Sequence, residues 1–337
     1  MQTADRQQHP GKSLSHSQQT WSYRLTWAFW GVGLATIGMG HTVTSYSAGM
    51  AIPDWPSVFG HFPFLFPLHE WFRHWDVFLA QSHRLIVTIL AIFSLILTGF
   101  FWKIRWNPHK WLATAVFILI CLQAALGASR VLLGDIGVAA IHACVGPLCF
   151  GLITVLLVVA SPSYEQLCRS HHEATRRRWR KAVTVALFIA GLTYLQLVLL
   201  AQLRHVLPQQ PPIQALLIVI GQGILWAVIG MIVVTAAMVL RKPLCNVMTR
   251  KLLWLVIGLY CLHLVLGLSA WIVNFNFPAW FLSHVLAVEY TIVQGGVFQV
   301  IVSTAFALVS SLLFAASLAL LICAAVDRGA NVDSDHN

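Results

Sequence analysis

Five of the 15 histidines, His83, His142, His205, His263 and His284, fall within long apolar segments. An ionisable side chain in such a segment is costly to bury and marks a functional site by default. A lone histidine there also has a plain alternative, a hydrogen-bonded packing role, so the question is which of them pair. His83 lies a short way into the second apolar segment and His142 a short way into the fourth, and both segments start from the same face. The two rings can therefore share one depth. Two neutral imidazoles from facing helices, with an apolar cavity between them, are what axial ligation of a heme iron requires. Ser82, Ala140, Ala143 and Gly146 beside them leave room for a flat ring.

Other groups converge on the same half. Arg84 directly follows His83 and needs either an anion, such as a heme propionate, or a route for its head group to the membrane surface. Both readings stay open. Gln123 inside the third segment and Arg130 at its outer end either support the ligands or make interhelical hydrogen bonds. The loop from His41 to about Phe78 is aromatic and punctuated by Pro53, Pro56, Pro63 and Pro67. A loop of that length usually serves as a lid or binding surface. Its acid and base candidates are Asp54, Glu70, His74 and Asp76, against the alternative of ordinary solvated residues. Asp76 stands seven residues before His83, about two helical turns, which puts it on the same face only if the helix extends that far.

Composition defines the elements that must hold these groups. The chain is 58% hydrophobic and 9% charged, against roughly 45–50% and about 25% in soluble domains, which excludes a soluble globular protein. A helix crosses the hydrocarbon core with about 20 apolar residues, and eight spans are expected at 25–45, 78–102, 111–131, 137–160, 182–204, 214–240, 252–274 and 297–326. The fold class is an all-α integral membrane protein of two pseudo-symmetric four-helix bundles. Residues 1–20 read as a disordered cytoplasmic tail without a signal-peptide cleavage pattern. An N-terminal bundle at 21–165 carries the long loop, a basic cytoplasmic loop covers 166–181, a second bundle covers 182–326, and 327–337 form a cytoplasmic tail.

All but four of the 21 lysines and arginines fall on one side of these spans, the exceptions being Arg73, Arg84, Arg130 and Arg204. Positive charge is retained in the cytoplasm, so both termini are expected there. The net charge of +10 does not indicate nucleic acid, because the basic residues lie between apolar segments and not on one folded surface. The run from Arg176 to Lys181 reads as a topology anchor, with an anionic-lipid site as the alternative. The seven cysteines show neither CxxC pairs nor zinc spacing, and no structural disulfide is expected.

An internal repeat supports two halves. Leu122-Gln123-Ala124-Ala125-Leu126-Gly127 returns 140 residues later as Leu262-His263-Leu264-Val265-Leu266-Gly267. The stretch Ile141 to Phe150 matches Ala305 to Phe314 at an offset of 164. A parallel repeat also suits a transporter, but broken helices carrying intramembrane acids are lacking.

Gly40-His41-Thr42-Val43-Thr44, Ala48-Gly49-Met50-Ala51-Ile52-Pro53-Asp54-Trp55-Pro56, Trp75-Asp76 and Ser82-His83-Arg84-Leu85 resemble the first half of heme A synthases. The Leu122–Gly127 motif and the His142 helix continue the pattern, and Leu195-Gln196 with Arg204-His205 is similar to the start of the second half. The resemblance covers residues 21 to 326. It implies an enzyme of the cytoplasmic (inner) membrane that oxidises a ring methyl of heme O to the formyl group of heme A for cytochrome c oxidase. Its partners would be the farnesyltransferase that makes heme O and the oxidase assembly machinery.

On this resemblance His83 and His142 are the metal ligands at the substrate heme, with Arg84, Arg204 and His205 among the cofactor-binding residues. The second half of the family holds a heme b between its own histidine pair, and a glutamate three residues before the first histidine takes part in catalysis. Three positions depart from the pattern. The glutamate position is Ala80, the counterpart of His83 falls near Gly223, and the counterpart of His142 is Phe306. Glycine and phenylalanine cannot ligate iron, so a bis-histidine heme b is not supported, and His205, His263 and His284 occupy no matching position. Asp76 is then the catalytic candidate left in place of the glutamate. The coordinated losses also suit a non-catalytic heme-binding or oxidase-assembly relative.

Overall fold

The computed structural model describes residues 16–104, 109–169, 176–205, 212–240, 247–275 and 296–326. Its helices are α1 (His16–Ser45), α2 (Leu68–Trp71), α3 (Trp75–Lys103), α4 (His109–Leu133), α5 (Ile136–Val159), α6 (Pro162–Arg169), α7 (Arg176–Arg204), α8 (Pro212–Leu240), α9 (Val247–Phe275) and α10 (Val297–Val326). Seven of them, α3, α4, α5 and α7 to α10, are long and apolar enough to cross a membrane. The chain is an all-α, multi-pass membrane protein. The first expected span forms α1, a 30-residue helix that is not among the seven. Large apolar side chains such as Ile96, Leu217, Met231 and Val265 are exposed on the flanks, as lipid-facing surface demands.

Two expectations at the basic end are corrected. Residues 16–20 are not tail but the first turns of α1, where Gln19 donates its amide to the Glu165 carboxylate. The basic loop at 166–181 is partly helical, because α6 runs to Arg169 and α7 starts at Arg176. His284, Arg6, Lys12, Arg105, Arg241, Lys242, Arg328 and Cys245 lie outside the described residues. None of the six described cysteines is in a disulfide.

Local sequence explains the tight α4–α5 hairpin. Gly134 adopts φ +62°, the left-handed conformation that commonly ends a helix and that glycine takes without a Cβ penalty. Its N–H donates to the Arg130 carbonyl at 3.0 Å. Asp135 then caps α5 by accepting the Val138 N–H at 3.0 Å, one of the four donors a helix start leaves free.

Within the first half, α1 packs on α3 and α5, and α4 packs on both α3 and α5. In the second half, α7 packs on α8 and α10, and α9 on α8 and α10. The halves meet through α5 against α10, α1 against α10 and α5 against α7. Close approach of α5 to α10 depends on Gly151, where a Cβ would fall 2.7 Å from Leu318 Cδ1 and 3.0 Å from Phe314 Cε1. The largest buried apolar cluster of each half is built around Phe29, Phe101, Ile153 and Leu156 and around Ile189, Ile229, Leu253 and Leu320.

Candidate functional site

Each histidine of the predicted pair lies against a glycine of a neighbouring helix. A Cβ on Gly40 of α1 would stand 3.2 Å from Cε1 of His83 on α3, and a Cβ on Gly127 of α4 would stand 3.1 Å from Cε1 of His142 on α5. Both glycines lie within motifs quoted above, yet glycine alone does not reveal which ring it seats. Helices α3 and α5 both pack against α1 and α4, which places the two rings in one four-helix bundle.

Hydrogen bonding separates these two rings from the other helical histidines. His41 bonds Ser311 Oγ at 3.1 Å, His109 the Val159 carbonyl at 2.9 Å, His205 the Ala201 carbonyl at 2.9 Å and His263 Ser310 Oγ at 3.1 Å. His83 and His142 make no side-chain hydrogen bond among the described residues, and the Nδ1 atom of each is buried without a partner. Buried polar atoms are normally paired; Nε2 of His263 is also buried without a partner, so what sets His83 and His142 apart is that neither ring nitrogen makes a hydrogen bond among the described residues. Gln123 orients one of them through the backbone, donating Nε2 to the His142 carbonyl at 2.8 Å.

Cations crowd the loop end of this half. The Arg130 guanidinium occupies the space a side chain on Gly49 would need, and its charge reaches both His83 and His142. Arg130 is half-buried, with no hydrogen bond or carboxylate partner among the described residues. His205 also reaches His142, brought there by the packing of α7 on α5. Arg204 donates Nη2 to Ser45 Oγ at 2.6 Å and to the His41 carbonyl at 3.2 Å, tying α7 to the end of α1.

Arg84 is engaged by the loop. Its Nη1 donates to the carbonyls of Asp54 at 2.9 Å and Ser57 at 3.1 Å, and its Nη2 to the Ile52 carbonyl at 2.9 Å. Gln81 donates to the Pro63 carbonyl at 2.7 Å. The Asp54 carboxylate in turn accepts the Phe59 and Gly60 N–H groups, each at 2.9 Å. Desolvation would raise the Asp54 pKa, but hydrogen bonds from Gly60, Ser57 and Phe59 outweigh it and hold the group down at about 2. The long loop is thus a folded cover fixed to α3.

The acid–base candidate is not brought to the site. Helix α3 starts at Trp75, so Asp76 sits exposed in its first turn, where Oδ1 accepts the adjacent Val77 N–H at 2.9 Å. Ala80 is buried in an apolar cluster with Ile52, Val58, Phe66 and Val77. Glu70 pairs with Arg73 and His69, both at 3.5 Å, and His74 is exposed.

The second half is filled by aromatic rings. Phe306 stacks on His263 with centroids 4.9 Å apart, and Trp226 meets His263 edge-on at 5.6 Å. A Cβ on Gly267 would fall 2.5 Å from Trp226 and 3.1 Å from Phe306. Gly223 is exposed with open space around it, and the inward position beside it is Gln222, which is buried. Neither Phe306 nor Gln222 offers an imidazole, so these residues do not fit a second bis-histidine heme. In the first half, His83 and His142 are two imidazoles with no side-chain hydrogen bond and Arg130 a cation with no carboxylate partner among the described residues, a donor set compatible in chemistry with one heme. Among the described residues, no cluster of three or more histidine, cysteine or acidic side chains could hold a metal ion by protein ligands alone. No family model matches the chain, and no curated protein matches it.

Proposed function

We propose that the chain is a membrane oxidoreductase of the heme A synthase type, which holds a heme between His83 and His142 and converts heme O to heme A for cytochrome c oxidase. One observation carries this reading: among the described residues, the two imidazoles that the resemblance assigns as ligands make no side-chain hydrogen bond, whereas His41, His109, His205 and His263 each make one. The iron supplies the redox chemistry. His83 and His142 hold it, Gly40 and Gly127 set their distance, and Arg130 neutralises a propionate. The loop fixed by Arg84 excludes water from above. Heme O would come from a farnesyltransferase and the product would pass to the oxidase assembly machinery. No heme b is proposed for the second half.

The reading includes α1 as an eighth span, both termini in the cytoplasm, and an inner-membrane location. It also includes pseudo-symmetry, for which matched positions give support. Gly127 seats His142 as Gly267 seats Phe306, and Gln123 approaches Gly146 as His263 approaches Ser310. Trp30 meets Phe150 at 5.6 Å and Tyr194 meets Phe314 at 5.2 Å, both pairs 164 residues apart in sequence.

The test is turnover: detergent-purified protein supplied with heme O and an electron acceptor is expected to yield heme A, and a complete absence of heme A overturns the synthase reaction. A second reading, a non-catalytic heme-binding or assembly relative, is favoured by the apolar surroundings of Ala80 and the exposure of Asp76. Loss of a positioned acid or base costs about 10²–10⁴-fold in rate. Bound heme without turnover supports this second reading.

A further inference from the structure

The loop between α1 and α3 has two apolar faces, and among the described residues only one of them is covered by protein. Ile52, Val58 and Phe66 form the covered face, packed against Val77 and Ala80 of α3. On the other, Phe62, Phe64, Leu65, Leu68, Phe72 and Trp75 are each more than half exposed, Leu65 to 76%. The segment is nevertheless held in shape. Besides the Arg84 and Gln81 bonds, Trp71 stacks on Phe72 at 5.4 Å, Phe72 on Phe78 at 5.4 Å, and Trp75 on Phe78 at 5.0 Å. An ordered patch of this kind is not left to water in a stable protein.

We infer that this face lies in the headgroup and upper acyl region of the bilayer leaflet on its own side, so that the loop is a lipid-immersed lid over the His83–His142 site. Three observations select lipid as the occupant. The patch is continuous with a membrane span, because Trp75 is the first residue of α3 and its ring is 6.2 Å from that of Tyr46, just beyond the end of α1. Its composition suits lipid, since three phenylalanines and two leucines carry no polar group and Trp75 supplies the amphipathic ring that concentrates at the membrane–water interface. Its carboxylates are partnered, Glu70 lying 3.5 Å from both Arg73 and His69 and Asp76 accepting the Val77 N–H. The apolar rim also continues at the same end of the bundle, where Leu132, Leu133 and Ile136 of the α4–α5 turn are exposed.

Site-directed spin labelling tests the placement. Leu65→Cys and Phe72→Cys are made separately in a background with the exposed Cys121, Cys168 and Cys261 replaced by serine, and the full chain is reconstituted in phosphatidylcholine–phosphatidylglycerol vesicles. Collision rates are read with oxygen, which partitions into lipid, and with a water-soluble nickel chelate. Ile96→Cys, on a lipid-facing flank, and Gln166→Cys, exposed on α6, mark the lipid and water limits. Both loop labels are expected to show an oxygen-to-nickel ratio several-fold above that of the Gln166 label and close to that of the Ile96 label. Ratios matching Gln166 would overturn the inference by placing the loop in water. Low collision with both reagents, with spin–spin broadening between copies, would overturn it in favour of a second copy of the chain covering the patch.

Discussion

The imidazole of His142 lies so close to Gly127 that a Cβ there would stand 3.1 Å from Cε1. Gly40 stands to His83 in the same way at 3.2 Å. At such distances an added methyl group pushes the ring by a few tenths of an ångström and tilts it, which consumes most of the roughly 0.5 Å and 10–20° within which a ligand set must be held. Gly127→Ala and Gly40→Ala are therefore expected to weaken heme retention on the order of 10–100-fold, as for other groups that orient metal ligands. Gly31→Ala, where no atom lies within 4 Å, is the control and should retain heme normally. Extracted heme per mole of purified protein is the measurement.

Arg84 holds three loop carbonyls, and a hydrogen bond from a charged group contributes about 1.5–3 kcal/mol. Arg84→Ala should free the loop while leaving the spans folded. Limited proteolysis is expected to cut between residues 53 and 67 more than about tenfold faster, the factor that 1.4 kcal/mol supplies. An unchanged cutting rate would show that the carbonyl contacts do not hold the loop.

The Asp54 carboxyl is depressed from 3.8 to about 2. A depressed acid stabilises the fold above its unfolded value, and that contribution is lost as pH falls from about 4 through about 2. Protection of the Phe59 and Gly60 amides from hydrogen exchange should therefore drop across that window. Asp54→Asn should show weaker protection at neutral pH and no step in this range. Solvent screening at this half-exposed site keeps the effect local.

Phe306 is 5% exposed and stacked on His263. Phe306→Ala removes that packing and should cost about 3–5 kcal/mol of stability, read as a lower thermal midpoint, with heme content unchanged. A coupled loss of heme would place the second half in the ligand site.

His83 and His142 stand out in the sequence because an ionisable residue in an apolar span does, and the structure leaves both rings without a side-chain hydrogen bond among the described residues. The spans were legible for the same compositional reason, though α1 carries too weak an apolar signal to count with the other seven. Contacts that depend on tertiary packing were not legible. The partners of Arg84 are backbone carbonyls, which carry no side-chain signature. Periodicity puts Asp76 on the His83 face only if the helix reaches it, and α3 does include it, but its side chain is exposed and accepts the Val77 N–H in the first turn. The counterpart of His83 near Gly223 shifts to Gln222 because the phase of α8 turns Gly223 to the surface. His205 reaches His142 only through the packing of α7 on α5, which its position 63 residues away in sequence does not suggest.

The most direct test is the heme content of detergent-purified protein, from reduced-minus-oxidised spectra and chromatography of extracted heme, for the wild type, His83→Ala, His142→Ala and His263→Ala. Heme is expected in the wild type, lost in His83→Ala and His142→Ala, and retained in His263→Ala, whose Nδ1 bonds Ser310 Oγ and whose ring is stacked on Phe306. A wild type without heme, or heme retained by His83→Ala and His142→Ala, would contradict the assignment of these two histidines as ligands.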